Sequence, residues 1–129
     1  MTKEQIIRSY NSLSLAYIGD AVYELLVRRH ILEKGITVNG QMHLAAKRYV
    51  SAAAQSEILE KISDILTEDE LSVIRRGRNA KSHSHPKNAD LADYHNATGF
   101  EALWGYLHLA NDVQRINEIF NIITQREAK

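Results

Sequence analysis

The chain has 129 residues, 44% of them hydrophobic and 25% charged, with 16 basic residues against 16 acidic ones and no cysteine. That mixture excludes a disordered or collagen-like chain and suits one globular domain with a sizeable core, while the missing cysteines exclude disulfides, thiolate zinc sites and cysteine nucleophiles. With no net charge, a polyanionic partner would have to be met by a local patch.

No apolar run reaches the roughly 18 to 20 residues that span a bilayer, and Met1 to Gln5 is too polar to begin a signal peptide, so a soluble, cytoplasmic protein is expected. A single proline, two phenylalanines and unbroken runs such as LAAKRYVSAAAQSEILEKISDIL predict an all-α fold. The first helix is expected at Lys3 to Tyr10 and the second at Leu15 to Lys34, where Leu15, Ile18, Val22, Leu25, Leu26 and Ile31 recur at helical spacing. Gly35, Asn39 and Gly40 in EKGITVNG stop it. Helices over Gln41 to Ala53 and Ala54 to Leu66 follow, then one over Glu68 to Ala80 whose start is marked by Thr67 and Glu70, at the spacing of a capping box. SHSHPKNAD, Ser82 to Asp90, reads as a polar surface loop. The last helices are expected at Asn96 to Ala110 and Asp112 to Arg126, with Asn111 or Asp112 as the cap between them.

Three segments carry candidate chemistry. In SLAYIGDAVYELLVRRHIL the acid Asp20 directly follows Gly19. A helix beginning near Leu15 puts Asp20 on its second turn and Glu24 one turn further along the same face. Asp20 is then either a helix-start acid favoured by the helix dipole or a functional carboxylate. In NATGFEALWGYLHL, Glu101 sits among apolar and small residues. Gly99 and Gly105 there cost roughly 1 kcal/mol each relative to alanine, which implies close approach of another backbone or of a partner. A carboxylate buried in such a segment is expensive unless it is paired or holds a metal, and an arginine-capped rim residue is the plainer alternative.

The third segment is IRRGRNAKSHSHPKN. Arg75, Arg76, Arg78, Lys81 and Lys87 lie between Glu70 and Asp90 with no acid among them, a cluster suited to phosphate oxygens of a nucleic acid and equally to a solvated helix end. Gly77 amid the arginines interrupts a helix and favours the first reading. His83 and His85 lack a third partner at fixed spacing and fit a solvated loop better than a metal site, and His43 and His108 read as packing or surface residues. There is no Gly-rich phosphate loop, no Ser-His-Asp order and no His-Asp doublet of a metal phosphohydrolase.

The two acid-bearing segments together resemble the ribonuclease III family. LAYIGDAVYELLV, Leu15 to Val27, is similar to the family's signature segment, and TGFEALWGYLHL, Thr98 to Leu109, to its second metal-binding segment, with RRGRNAKS between them. The likeness runs from about Leu13 to the last helix and is nearest to the family's short, mini form, which has the catalytic domain and lacks a double-stranded-RNA-binding domain. It implies one ribonuclease III-type helical endonuclease domain over residues 1–129, with about seven helices, acting as a homodimer. Asp20 matches the signature aspartate and Glu101 the essential glutamate, which implies that both are catalytic and hold Mg²⁺, with Mn²⁺ as a substitute. Ala16 and Thr98 stand where larger members carry two further acids, which implies more water-mediated coordination.

The resemblance further implies that Tyr17 lies at the dimer contact and that Arg75, Arg76, Arg78, Asn79 and Lys81 bind double-stranded RNA across its minor groove. Hydrolysis of phosphodiester bonds in duplex regions of a large-subunit (23S) ribosomal RNA precursor is the expected activity, with a ribosomal protein as a further candidate partner. Because of Ala16 and Thr98, a catalytically degenerate RNA-binding or ribosome-associated helical dimer is the alternative. A helical protein-interaction module, with Arg75 to Lys81 as a solvated face, is a third reading.

Overall fold

The computed structural model describes residues 1–80 and 90–127, and these form seven α-helices and one 3₁₀ turn, with no strand. The helices are α1 (Lys3–Ser9), α2 (Ser12–Glu33), α3 (Asn39–Val50), α4 (Ala52–Ile62), α5 (Glu68–Arg78), α6 (Leu91–Leu109) and α7 (Val113–Glu127), and the 3₁₀ turn spans Ser63–Ile65. Their starts are set by short polar side chains that accept otherwise unpaired backbone N–H groups. Thr2 with Gln5 and Thr67 with Glu70 form capping boxes, Asn11 accepts from the Ser14 N–H at 2.8 Å, and Asp112 accepts from the Arg115 N–H at 3.2 Å. Asp112, of the two candidates, is therefore the cap of α7, while Asn111 takes a left-handed φ of 56° in the turn before it.

Helix α6 is the axis of the molecule. Ala97 to Gly99, Phe100 and Ala102 to Leu107 are all buried, so this stretch of the helix is enclosed by its neighbours, and α1, α2, α4, α5 and α7 pack around it. Trp104 and Phe100 of α6 meet Tyr23 of α2 in an aromatic cluster, with Tyr23 stacked on Trp104 at 5.5 Å between ring centroids and edge-on to Phe100 at 5.0 Å. The buried Tyr23 hydroxyl donates to the Tyr49 carbonyl at 2.8 Å, which ties α3 to this core.

Several boundaries differ from the sequence expectation. α6 starts five residues before Asn96, because Asp90 accepts from the Asp93 N–H and supplies the cap. The apolar density that signals a helix begins only later, in the ATGFEALW stretch. α3 gives way to α4 at Ser51, which ends one helix and caps the next through the Ala54 N–H. The run of alanines that follows hides this break from any periodicity argument. α2 starts at Ser12, so Asp20 lies on its third turn and not on the second; the helix-start reading of that acid is overturned. The loop Ser82 to Asp90, with His83, His85 and Lys87, lies outside the described residues except for Asp90.

Candidate active site

The close crossing of α2 and α6 creates the site. A β-carbon at Gly19 would overlap the Glu101 carbonyl oxygen and come within 2.7 Å of the Gly105 nitrogen, and one at Gly105 would overlap the Leu15 carbonyl oxygen. Only hydrogen fits at either position, so the two backbones touch here, and Asp20, next to Gly19, is brought beside Glu101. The two acids are far apart in sequence yet close enough for their carboxyls to hydrogen bond when one of them holds a proton.

Their environment is electrostatically unbalanced. Glu101 is partly buried, and burial, then the facing charge of Asp20, push its carboxyl up to about 8; Glu24 adds to the effect and a hydrogen bond from Gln55 opposes it. Asp20 itself is exposed. Glu24, a turn further along α2, is answered by Arg28 at 2.9 Å. Among the described residues Glu101 has one neutral donor, the Gln55 amide Nε2 at 3.3 Å, and no ion pair. The plainer reading of Glu101, a rim acid capped by an arginine, therefore fails.

Among the described residues no group of three or more His, Cys, Asp or Glu side chains is arranged to hold a metal ion. Two carboxylates that repel each other in a half-buried setting nonetheless fit a hard divalent cation that keeps several waters, as Mg²⁺ does. A cation bound there would replace the proton that the pair otherwise has to share. Ala16 and Thr98 add no oxygen to this set: Ala16 is buried, and the Thr98 hydroxyl donates to the Tyr94 carbonyl of its own helix at 3.0 Å.

The basic segment forms the last turn and C-cap of α5. Arg75, Arg76 and Arg78 are exposed and form no ion pair among the described residues, at a helix end where the dipole favours cations. They do not share one face. Arg75 and Arg78 line a cleft with Ser56 and Asn96, between α4, α5 and α6. Arg76 and Asn79 turn the other way, toward Asn11 and Leu13. One helical residue is about 100° of rotation, which is why neighbours in sequence part company here. Lys81 lies outside the described residues.

Gly77, set among the arginines, has a packing reason. A β-carbon there would stand 2.7 Å from the Gly99 α-carbon, and one at Gly99 would stand 2.5 Å from the Ile74 carbonyl oxygen and 2.9 Å from Arg78 Cγ. This second glycine contact seats α5 on α6 and lays the stem of Arg78 two residues from Glu101 along α6. Tyr17, on α2, is 85% exposed, and Ala21, Leu25 and Leu32 continue an exposed apolar stripe along that helix.

Gln55 is the residue that sequence reasoning missed. It falls three and seven residues before Ile58 and Ile62, on the apolar stripe of α4, and a polar side chain at such a position is the signal that could have found it.

An all-α domain whose two longest helices cross at a pair of acids has the architecture of a ribonuclease III domain, and the Ribonuclease III domain model matches residues 13–112. The chain belongs to the ribonuclease III family, a family of endoribonucleases. It is 51% identical over 122 residues to Mini-ribonuclease 3 of Brevibacillus brevis, covering 92% of this chain and 91% of that protein. Mini-ribonuclease 3 of Staphylococcus aureus is 37% identical over 126 residues, covering 93% and 94%. The crystal structure of a Fusobacterium nucleatum protein superposes with a TM-score of 0.84 at 32% identity, covering 92% of this chain and 97% of that one. No helix among the described residues is long and apolar enough to cross a membrane.

Proposed function

We propose that this endoribonuclease hydrolyses phosphodiester bonds in double-stranded RNA with Mg²⁺ bound by Asp20 and Glu101, Mn²⁺ being able to substitute. The observation that carries the reading is the facing pair of carboxylates at the α2 and α6 crossing, without a counter-cation among the described residues. Held there, the ion would supply charge neutralisation at the scissile phosphate and lower the pKa of a bound water. The chain's own part is to hold two hard oxygen ligands at a fixed separation, which the glycine contact between backbones secures.

Arg75 and Arg78 bind phosphates of the duplex along the cleft with Ser56 and Asn96, while Arg76 and Asn79 serve the flank beside it and Lys81, outside the described residues, adds a further cation to the RNA-binding set. The exposed stripe of Tyr17, Ala21, Leu25 and Leu32 is the face on which a second copy docks, so that two sites address the two strands. The substrate is a structured precursor of 23S ribosomal RNA in the cytoplasm, with a ribosomal protein as a candidate partner; the names of the relatives support the enzyme class of this reading.

The test is cleavage of a perfect RNA duplex by purified protein. Wild type is expected to cut with Mg²⁺ and to stop with chelator, and Asp20→Asn and Glu101→Gln are expected to bind the duplex without cutting it. Cleavage by either variant at the wild-type rate would falsify the assignment, whereas duplex binding without cleavage by the wild type at any Mg²⁺ or Mn²⁺ concentration would favour the degenerate, RNA-binding alternative.

A further inference from the structure

Gln55 is 3% exposed and sits one turn into α4. Its amide nitrogen donates to two acceptors, the Val50 carbonyl at 3.0 Å and Glu101 Oε2 at 3.3 Å. The Val50 carbonyl can only accept, which fixes the amide with its nitrogen toward it and its own oxygen away. That oxygen is buried and meets no donor among the described residues. A buried amide oxygen without a partner costs on the order of 1–3 kcal/mol, so a leucine or methionine would fill the same volume at lower cost to the core.

The Val50 bond has a local structural use, since it satisfies a carbonyl at the end of α3 where the chain turns into α4. The bond to Glu101 does not follow from that use. It steadies the carboxylate while leaving its charge in place, because an amide is a neutral donor. An arginine in the same position would have neutralised Glu101 and removed the attraction for a divalent ion.

We infer that Gln55 is a positioning residue for the Asp20 and Glu101 pair: anchored on the Val50 carbonyl, it holds the Glu101 carboxylate in the orientation that receives a divalent cation without reducing its negative charge. The inference rests on the reading of that pair as a metal site. Outer partners of this kind typically change metal affinity by about 10–100-fold when removed.

The experiment measures Mn²⁺ binding to the full chain by calorimetric titration without RNA, for wild type, Gln55→Leu, Gln55→Met and Glu101→Gln, beside thermal melting of each. Wild type is expected to bind Mn²⁺, Glu101→Gln to lose that binding, and the two Gln55 variants to bind about tenfold more weakly. In cleavage assays the same variants should need correspondingly more Mg²⁺ to reach half-maximal rate, with KM for the duplex unchanged. A purely structural role would lower the melting temperature and leave the Mn²⁺ affinity alone, and that outcome overturns the inference. Gln55→Met serves if Gln55→Leu does not fold; failure of both to fold makes Gln55 a residue of the fold and also overturns it. A wild type that binds no Mn²⁺, or a Glu101→Gln that binds as tightly as wild type, instead overturns the metal-site reading itself and the inference with it.

Discussion

Glu70 and Glu101 are both carboxylates withdrawn from water, and the chain treats them in opposite ways. Glu70 is 3% exposed, and its two oxygens receive Arg115 Nε at 2.8 Å, Arg115 Nη2 at 2.7 Å and the Thr67 N–H at 2.9 Å. Burial alone would raise its pKa; the Arg115 guanidinium and the capping box of Thr67 overcome that and hold it below the usual carboxylate range. Glu101 has a neutral amide on one side and another acid on the other, and its pKa moves the opposite way. A buried acid that finds its cation within the chain belongs to the fold. One that is faced by a second acid is costly to the fold, and its missing charge has to come from outside.

The largest effect expected from breaking this contrast is on catalysis. Glu101→Gln should lower duplex cleavage by roughly a thousandfold, since on the proposed reading a divalent ion held there would contribute several kcal/mol to the transition state. The same substitution relieves repulsion and should raise the urea midpoint of the chelated protein. Glu70→Gln should do the reverse, leaving the cleavage rate within a few fold where the protein is folded while lowering the midpoint. A Glu101→Gln protein less stable than wild type would erase the distinction.

Next in size is the removal of the internal cation. Arg115→Leu leaves Glu70 buried without a counter-charge and takes a donor from the Ile65 carbonyl at 2.8 Å, so it should cost about 3 kcal/mol in equilibrium unfolding. No comparable loss is expected from Arg28→Ala, whose Glu24 partner is exposed enough to be rehydrated.

How much of this contrast is legible in the sequence depends on how local its causes are. The capping box of Thr67 and Glu70 follows from a spacing of three, and the site acids stood out through their apolar surroundings and their likeness to family segments. Arg115 as the partner of Glu70 could not be read, because it comes from a helix 45 positions away and only folding brings the two together. The glycines at 99 and 105 announced close approach, but which backbone each one admits, and that Gly19 is a third such contact, is a property of the crossing angles of α2, α5 and α6. Gly77 misled for the same reason: set among arginines it suggested function, and its neighbour Gly99 on α6 explains it as packing. The arginines were read as one surface because one-dimensional clustering ignores the rotation of a helix, and α6 lost its first five residues because a cap was outweighed by low apolar density.

A smaller effect, and one of opposite sign at the two acids, is the pH dependence of stability. The Glu70 carboxyl is held below its unfolded value of 4.5, so its contribution is complete above about that pH and drains away as pH falls through the folded pKa. The Glu101 carboxyl in metal-free protein is raised from 4.5 to about 8, so the folded state keeps a proton that the unfolded chain releases. Its contribution is therefore full below about 4.5, declines as pH rises and levels off above about 8. Each slope is at most about 1.4 kcal/mol per pH unit for a single proton. Urea unfolding in chelator across this range should show the alkaline decline vanish in Glu101→Gln and the acid decline weaken in Arg115→Leu.

The smallest expected effects concern the arginines, where the same division recurs. Arg115 is committed to an internal acid, whereas Arg75, Arg76 and Arg78 have none among the described residues and remain available to phosphates. Each phosphate contact that is lost should lower the slope of log binding constant against log salt by about one and weaken binding evenly across sequences. Arg75 and Arg78 border the cleft that includes Ser56, the neighbour of Gln55 in α4, so Arg75→Ala and Arg78→Ala should each show that reduction. Arg76 is turned toward Asn11 and Leu13, and Arg76→Ala should change the slope less. Equal reductions for all three would mean that the duplex wraps both flanks of α5, and no reduction for any would return the segment to a solvated helix end whose cations answer only the dipole of α5.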